Sequence, residues 1–387
     1  MGEVMALPDG FPELLRASVG QSADAAIRGL GEVPSVSVRL NPARQKECPF
    51  PDAVPVPWSP YGYLLGSRPV FTLDPLFHAG CYYVQDSSAM FVGHVFREMT
   101  AGLQPGCRVL DLCAAPGGKT TDLAASLRER FGDRFTLLAN EVMRARYGVL
   151  RANLETWGDA RVGCVSRDPS AFGDTPLFDV ILADVPCSGE GMFRKDAQAV
   201  REWSLSTVDF CAARSRRILS DIWPVLQPGG LLLYSTCTFN HIENDDTVAW
   251  IAGELGADIL PLQPFPPVVN TRLGQLLLPG LVPGEGQYVA ALRKAGEAPA
   301  GMGPDPFLLL RAERPAQNAP AEGPSVNVDR ATALQYLHGN ALVLPPDAPL
   351  GPVVICFEGH PLGPAKNLGK RCNNLYPKNK RIRMDVR

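Results

Sequence analysis

The sequence predicts a doubly wound α/β domain with a small α+β segment before it and a small β-rich domain after it. Between residues 108 and 238, short apolar runs alternate with helical stretches, which is typical of a parallel sheet covered by helices. Polar residues follow the C-terminal end of each run, where such sheets bind ligands. The chain has 387 residues, of which 45% are hydrophobic, so it is long enough for two or three domains and too apolar for global disorder.

The first segment, residues 1–75, is predicted to contain one helix and one strand. Phe11–Ser18 is the helical stretch, and Ser35–Leu40 alternates polar and apolar residues as a half-buried strand does. A proline-rich stretch over residues 49–60 follows and interrupts the pattern.

The central segment, residues 76–295, carries the α/β pattern. Its predicted strands are Arg108–Cys113, Phe135–Asn140, Arg161–Val165, Phe178–Ala183 and Leu231–Tyr234. Its predicted helices are Asp122–Phe131, Arg144–Trp157 and Leu205–Val225, and Pro228–Gly230 is expected to form a turn. Residues 296–328 are poor in apolar side chains and are expected to be a linker. Residues 329–387, with the stretches Ala331–Leu344 and Pro352–Phe357, are expected to form the small β-rich domain.

The charge of the chain is divided unevenly. The formal net charge is −3, yet residues 366–387 hold eight basic groups and one acid, a net of +7, and leave −10 on the remainder. Such asymmetry indicates a polyanionic partner, although charged termini are often only solvated. Leu375, Tyr376 and Pro377 lie among these charges, which favours a folded surface that contacts nucleic acid.

The remaining composition excludes several classes of protein. No apolar run is long enough to span a membrane, and the N-terminus has no secretory pattern, so we expect a cytoplasmic protein without a membrane partner. Ten cysteines are scattered without a Cys-x-x-Cys pair, so neither a disulfide framework nor a zinc site is expected, and no other metal is.

A glycine-containing loop after the first central strand is the first candidate site. It resembles a phosphate-binding loop, but Cys113 replaces the first glycine and Pro116 removes a backbone N–H, which disfavours nucleotide hydrolysis. Glu141 ends the next strand, where an acid can hold ribose hydroxyls, and Asp168 can accept from an adenine amino group. Together they suit a nucleoside without a charged phosphate, such as S-adenosylmethionine; a tight packing turn beside surface acids is the alternative. The loop residues are Cys113, Ala114, Ala115, Pro116, Gly117, Gly118 and Lys119.

Two thiols form the second candidate site. Asp184 and Cys187 follow one predicted strand, and Cys237 follows the next. Carbon 5 of a pyrimidine is not nucleophilic by itself, but a thiolate that adds to carbon 6 activates it. A single cysteine is more often a buried apolar residue, yet two thiols and an acid over one pocket are harder to attribute to packing.

These motifs resemble the RNA (cytosine-5)-methyltransferases of the Nol/Nop/Sun group, in particular the RsmF-like branch that acts on 16S rRNA. The resemblance covers nearly the whole chain and lies in Phe77–Asp86, Cys113–Lys119, Asp184–Asp196, Ser235–Thr238 and Asn373–Lys378. It departs slightly at Glu243-Asn-Asp245, where the family usually has Glu-Asn-Glu, and the C-terminal region is short.

The resemblance implies a fold, an activity and a role for each site residue. It implies a Rossmann-like methyltransferase domain, an N-terminal segment that binds RNA and a C-terminal PUA-like RNA-binding domain. Cys237 matches the nucleophile and Cys187 matches the thiol that helps release the product. The loop Cys113–Lys119, with Glu141, Asp168 and Asp184, matches the contacts to S-adenosylmethionine, and Asp184 also faces the cytosine. A monomer acting on 16S rRNA or the small ribosomal subunit is expected; a tRNA substrate and a non-catalytic ribosome-assembly factor remain open.

Overall fold

The computed structural model describes residues 7–175, 177–297, 304–314 and 323–385. The N-terminal part begins with two helices, α1 (Phe11–Val19) and α2 (Ala23–Leu30). A four-stranded sheet follows, in the order β2-β3-β1-β4, formed by β1 (Val36–Leu40), β2 (Val54–Pro55), β3 (Gly62–Leu65) and β4 (Tyr82–Val84), with the short α3 (Pro75–His78) before β4. The predicted helix and strand are confirmed as α1 and β1.

The N-terminal sheet contains three strands that the sequence did not predict, β2, β3 and β4. The proline-rich stretch holds β2, an edge strand, where Pro55 is tolerated because an edge strand leaves one side of its ladder open. The sheet also extends beyond the predicted boundary at residue 75. Strand β4 pairs antiparallel with β1, Leu40 opposite Tyr82, and so completes this sheet instead of joining the central one.

The central sheet has nine strands. Its core is β7-β6-β5-β8-β9, all parallel, from β5 (Cys107–Asp111), β6 (Phe135–Asn140), β7 (Val162–Val165), β8 (Phe178–Asp184) and β9 (Leu226–Thr236). The antiparallel β13 (Gln287–Lys294) extends it beside β9, with β10 (Ala257–Leu260), β11 (Val269–Asn270) and β12 (Gln275–Leu277) beyond. The accompanying helices are α4 (Phe91–Met99), α5 (Gly118–Phe131), α6 (Arg144–Trp157), α7 (Ala197–Glu202), α8 (Leu205–Ile222) and α9 (Asp245–Leu255).

Helices cover both faces of this sheet, as the predicted doubly wound fold requires. Alternate residues of one strand point to opposite sides. Leu110 belongs to an apolar cluster with α1, α2, α8 and α9, and its neighbour Val109 belongs to a second cluster with α4, α5 and α6. The predicted α/β fold class is therefore confirmed.

Two predicted boundaries in the central domain are wrong in an informative way. Helix α5 begins at Gly118 and not at Asp122, because Gly117 has a φ of 107° that turns the chain directly from strand to helix. The predicted turn at residues 228–230 lies inside β9. Leu226 pairs with Phe178 and Leu231 with Val180, so the residues between them bulge out of the ladder without ending the strand.

Part of the predicted linker is packed against the central domain. In residues 304–314, the short α10 (Pro306–Leu309) buries Phe307 and Leu310 in the core. Glu313 then exchanges two backbone hydrogen bonds with Cys164 of β7, at 2.8 and 2.9 Å. The segment is ordered there because β7 is the edge of the sheet and would otherwise leave these groups unpaired. Residues 298–303 and 315–322 of the predicted linker lie outside the described residues.

The C-terminal domain is a four-stranded sheet with one helix. The sheet has the order β14-β15-β16-β17, from β14 (Ser325–Asn327), β15 (Gly351–Phe357), β16 (His360–Asn367) and β17 (Cys372–Asn374). The stretch 331–344 of this β-rich domain contains helix α11 (Arg330–His338), because Asp329 caps its first turn and Gly339 ends it in a left-handed conformation. This domain shares one apolar cluster with the N-terminal sheet, where Tyr336 and Ile355 lie with Val38 and Tyr82.

No helix in the described ranges is both long and apolar enough to cross a membrane.

Candidate active site

The two thiols that the sequence singled out lie side by side at the carboxyl end of the central sheet. Cys187 follows β8 and Cys237 follows β9, and these parallel strands pair Asp184 with Ser235 at their ends. The Sγ atoms of Cys187 and Cys237 are 3.2 Å apart, within hydrogen-bonding distance. All ten cysteines of the chain are free thiols.

Two buried carboxyl groups connect the loops that carry these thiols. Glu190, from the loop after Cys187, accepts from the backbone N–H of Phe239 at 2.6 Å. Glu243, from the loop after Cys237, accepts from the backbone N–H of Ser188 at 2.9 Å and also from the Ser188 hydroxyl. Each thiol loop is therefore held by a carboxyl group of the other loop.

One amide group links the two carboxyl groups. Asn240 donates through Nδ2 to Oε1 of Glu190 at 2.8 Å and to Oε1 of Glu243 at 2.9 Å. Because these groups are almost fully buried, the position of either thiol depends on the other loop. We call the set Glu190, Ser188, Asn240 and Glu243 the carboxyl clamp.

Burial changes the protonation of this region. It raises the pKa of Glu243 to about 7, against the opposing effect of the bonds from Ser188 and Asn240, and it also raises the pKa of Glu190. The hydrogen bond with Cys237, together with burial, raises the pKa of Cys187 well above its usual range. Cys187 thus keeps its proton at neutral pH and can donate it to the sulfur of Cys237.

A cation lies beside the thiol pair. Lys119 donates through Nζ to Oδ2 of Asp184 at 2.8 Å, and Gln287 of β13 donates to Oδ1 of Asp184 at 3.1 Å. Burial alone would lower the pKa of Lys119, but Asp184 and the nearby Cys237 raise it overall.

The glycine-containing loop is held from several sides. Ala114 donates its N–H to the carbonyl of Asn140 at 2.8 Å, and Arg146 of α6 donates to the carbonyl of Ala115 at 2.6 Å. Asn153, also on α6, donates to the carbonyl of Pro116 at 2.8 Å. Cys113 is half-buried, and desolvation raises the pKa of its thiol.

Two buried carboxyl oxygens near this loop have no hydrogen-bond donor among the described residues. They are Oδ1 of Asp111, at the end of β5, and Oε2 of Glu141, just after β6. Burial raises the pKa of Asp111 to about 7. The other oxygen of Glu141 accepts from the N–H of Met143, and the Arg146 guanidinium lies 3.4 Å from Oε2. Two such acceptors at a strand-to-helix turn suit a ligand that brings hydroxyl or amino donors.

Asp168 lies apart from this network. Its carboxyl group accepts from the N–H and hydroxyl of Ser170 at 3.1 and 2.8 Å, and the side chain is 46% exposed. The hydrogen bond to Ser170 lowers its pKa, so it is an ionised group at the rim of the loop region. The Arg217 guanidinium lies 3.8 Å from Asp168, and the preceding residue, Arg167, donates its backbone N–H to Asn140 at the end of β6.

Several residues of the site were not singled out by the sequence argument. Asp111, Glu190, Asn240 and Gln287 are buried, and Glu243 was noted only as part of a family motif. Asp111 and Gln287 carried a signal, since Asp111 directly follows the apolar pair Val109 and Leu110, and Gln287 directly precedes the largely apolar run Tyr288–Leu292. Glu190 and Asn240 lie in loops, where polar residues are ordinary, so their burial could not be read from the sequence.

The basic residues that follow Cys187 do not form a free basic surface. Arg194 donates to Glu285 at 2.7 Å and its side chain is 4% exposed. Lys195 lies 3.0 Å from Glu285 and 3.8 Å from Asp86. Within the described residues, no group of three or more His, Cys, Asp or Glu side chains could hold a metal ion.

Comparison with known proteins assigns the family. The model described as 16S rRNA methyltransferase RsmB/F matches residues 99–293, which is half of the chain. The chain belongs to this family. The model for the N-terminal domain of 16S rRNA methyltransferase RsmF matches residues 7–87, and the RsmF PUA domain model matches residues 324–382. The predicted family, an RNA methyltransferase with a C-terminal PUA domain, is confirmed.

Relatives of this RsmB/F-family chain include several proteins named ribosomal RNA small subunit methyltransferase F. The protein from Erwinia tasmaniensis is 29% identical over 84% of this chain and 84% of its own length. The Cronobacter sakazakii protein is 34% identical over 74% of this chain and 63% of its own length. A Salmonella paratyphi A protein is 38% identical over 64% of this chain and 52% of its own length. The chain thus spans only about half to two thirds of the latter two.

Solved structures resemble the fold. A methyltransferase homolog protein from Pyrococcus horikoshii has a TM-score of 0.61 at 26% identity, covering 73% of this chain and 93% of that one. NSun6 from Pyrococcus horikoshii, solved with SFG, has a TM-score of 0.63 at 18% identity, covering 76% of this chain and 100% of that one.

Proposed function

We propose that this chain methylates carbon 5 of a cytosine in 16S rRNA, with S-adenosylmethionine as the methyl donor and Cys237 as the nucleophile. The observation that carries the proposal is the pair of thiols 3.2 Å apart, with Lys119 and Asp184 beside them. Addition of a thiolate to carbon 6 is the chemistry that makes carbon 5 of a pyrimidine nucleophilic. The names of the relatives supply the choice of 16S rRNA.

The residues present fit the cofactor. Loop Cys113–Lys119 with Glu141 would hold S-adenosylmethionine, because Oε2 of Glu141 and Oδ1 of Asp111 are buried acceptors without a donor among the described residues. Asp168 would contact the adenine end from the rim. When bound, the cofactor supplies an electrophilic methyl group to carbon 5.

The chain's own residues account for the other steps. Cys237, as a thiolate, forms a bond to carbon 6 and the electron pair moves to carbon 5. Asp184 accepts from the amino edge of the cytosine, using lone pairs that Lys119 and Gln287 leave free. After methylation a base takes the carbon 5 proton, the electron pair re-forms the ring double bond and Cys237 leaves. The Cys187 thiol lies 3.2 Å from the departing sulfur and can protonate it.

Replacing either thiol tests this division of roles. Cys237→Ala is expected to abolish methyl transfer and adduct formation while calorimetric binding of S-adenosylhomocysteine is retained. Cys187→Ala is expected to accumulate a denaturation-resistant RNA–protein adduct on a gel. Cys48→Ala, at a thiol of the N-terminal part, is the matched control and should behave like the unsubstituted protein. Methylation by Cys237→Ala would rule out the proposed nucleophile.

Mapping 5-methylcytosine tests the choice of RNA. Ribosomal and transfer RNA from cells with and without the gene are compared, and a modified site that disappears only from 16S rRNA is expected. A site lost only from tRNA would keep the chemistry and overturn the substrate. Loss of no site would favour a non-catalytic assembly role. We expect the protein to act as a cytoplasmic monomer.

A further inference from the structure

A cavity of about 880 Å³ lies where α6, the N-terminal sheet and the C-terminal domain meet. This volume falls in the range of about 300–1,000 Å³ that small-ligand sites occupy. Its lining includes neither thiol of the candidate active site, nor Asp184, nor any residue of loop Cys113–Lys119. The cavity is therefore a separate feature of the molecule.

The walls of the cavity are aromatic and basic. Phe77 and Tyr83 are half-buried rings of the lining, and the buried rings of Tyr82, Trp157 and Tyr376 complete the wall from all three parts of the chain. Arg44 and Lys380 supply positive charge, and none of the described residues that line the cavity is acidic. In a chain with a net charge of −3, an acid-free aromatic cavity favours an anionic ligand with a flat ring.

Both cations are held in place by groups outside the lining. Lys380 lies 3.2 Å from Glu155 of α6, and its side chain is 22% exposed. Arg44 donates to the carbonyl of Ala79. These partners leave other N–H groups of each cation available, since an ammonium has three and a guanidinium has five.

The cavity wall also contacts the candidate cofactor loop. Asn153 and Tyr83 line the cavity, and both donate to the carbonyl of Pro116, at 2.8 and 3.2 Å. The guanidinium of Arg39 lies 4.8 Å from the ring centre of Trp157 and donates to the carbonyl of Gly118 at 3.1 Å. A ligand in the cavity would thus rest on the side chains that hold this loop.

We propose that the cavity binds an unpaired nucleotide of the RNA substrate, distinct from the cytosine that enters the thiol pocket. This inference rests on the proposed function for the identity of the RNA. The base would stack on an aromatic ring, its edge would face amides such as Asn153, and its phosphate would lie against Lys380 and Arg44. Such a contact would fix the RNA relative to both the C-terminal domain and the cofactor loop.

Photo-crosslinking tests the occupant in the unsubstituted protein. A 16S rRNA transcript that contains 4-thiouridine is bound, irradiated and digested, and the crosslinked peptides are identified by mass spectrometry. Crosslinks are expected in residues 77–84, 152–157 or 376–380. Crosslinks confined to other segments would overturn the proposal.

A cavity-filling substitution tests it by affinity. Ala152 is an exposed residue of α6 that lines the cavity, so Ala152→Trp is expected to fill it and weaken binding of the same RNA about tenfold or more. Ala213→Trp, at an exposed position of α8, is the matched control and should change binding less than twofold. Equal affinity of the two variants would overturn the proposal.

The outcome separates this inference from the proposed function. RNA affinity and crosslinking require no methyl transfer, so cavity crosslinks without any cytosine methylation would contradict only the proposed function. Normal methylation and normal thiol adducts, with no effect of Ala152→Trp on RNA affinity, would contradict only the cavity. Lys380→Ala gives a second variant if Ala152→Trp does not fold, and it is expected to reduce the salt dependence of RNA binding.

Discussion

Replacing Glu243 by Gln is expected to make the stability of the fold less dependent on pH. Burial raises the pKa of Glu243 to about 7, from an ordinary value of 4.5. The folded state therefore binds this proton more tightly than the unfolded chain does. The stability that protonated Glu243 contributes to the folded state is fully present below pH 4.5 and is lost as pH rises through 7. The shift corresponds to a loss of about 3 kcal/mol at most.

Glu243→Gln removes the titrating group, so the variant shows no such pH-dependent loss of stability, but the substitution breaks a hydrogen bond and so destabilises the fold at every pH. The carboxyl group accepts from the Ser188 hydroxyl and from Asn240 through Oε1, and from the Ser188 backbone N–H through Oε2. A glutamine side chain has one oxygen, so the Ser188 N–H would face its NH2 group and lose its acceptor. Leaving one donor unpaired costs about 1–3 kcal/mol. Glu243→Gln should therefore be less stable than the unsubstituted protein at pH 5, and the difference should narrow by up to about 3 kcal/mol by pH 8.

Urea unfolding between pH 5 and pH 8 measures this difference. Trp203 donates to Glu190 at 3.0 Å, so tryptophan fluorescence reports on the carboxyl clamp. Glu190 is present in both proteins, so its titration largely cancels when the unfolding free energy of the variant is subtracted from that of the unsubstituted protein. Glu254→Gln, at an exposed position of α9, is the matched control and should show a flat difference. A difference between Glu243→Gln and the unsubstituted protein that is constant or grows with pH would refute the reasoning.

Three further predictions concern the loop, the C-terminal basic residues and the edge of the sheet. Gly117 has a φ of 107°, and a Cβ added there would lie 3.2 Å from Leu150, so Gly117→Ala should weaken calorimetric binding of S-adenosylhomocysteine about tenfold. Gly148→Ala is the control: this glycine lies in a helix with open space around an added Cβ, and the substitution should stabilise the protein by about 0.5–1 kcal/mol. Replacing the exposed Lys370 and Arg371 by Ala should lower the slope of RNA affinity against salt by about one per charge, and an unchanged slope would exclude them from RNA contact. Phe307→Ala should lower the free energy of unfolding by about 3 kcal/mol because it empties a buried site in the core, and a loss below about 1 kcal/mol would show that the segment is only loosely attached.

The strand and helix pattern of the central domain was predictable because each element carries its own signal. Apolar runs such as Phe178–Ala183 show burial on both faces directly in the sequence. The N-terminal sheet could not be predicted in the same way, because β2 and β4 have only two and three residues and depend on partners that are distant in sequence. Likewise, residues 304–314 resemble a linker in composition and are ordered only by the edge of β7 that they cover.

The site shows the same division between local and non-local information. The motifs around Cys187 and Cys237 were visible, and their separation of 50 residues is bridged only because β8 and β9 pair in parallel. The carboxyl clamp depends on that register, since it joins residue 190 to residue 239 and residue 243 to residue 188. The polarity of each loop can be read from the sequence, whereas the contact between the two loops depends on the register of β8 and β9 in the sheet.

The charges near the site indicate where RNA is attracted. Lys119 and Arg194 are bound to Asp184 and Glu285, so they position groups in the pocket. Lys370, Arg371 and Lys378 of the C-terminal domain are exposed, and Lys378 is two residues from Lys380 of the aromatic cavity. RNA capture is therefore expected to depend on the C-terminal charges and on salt. The thiol chemistry, enclosed by paired and buried groups, is expected to be screened much less once the RNA is bound.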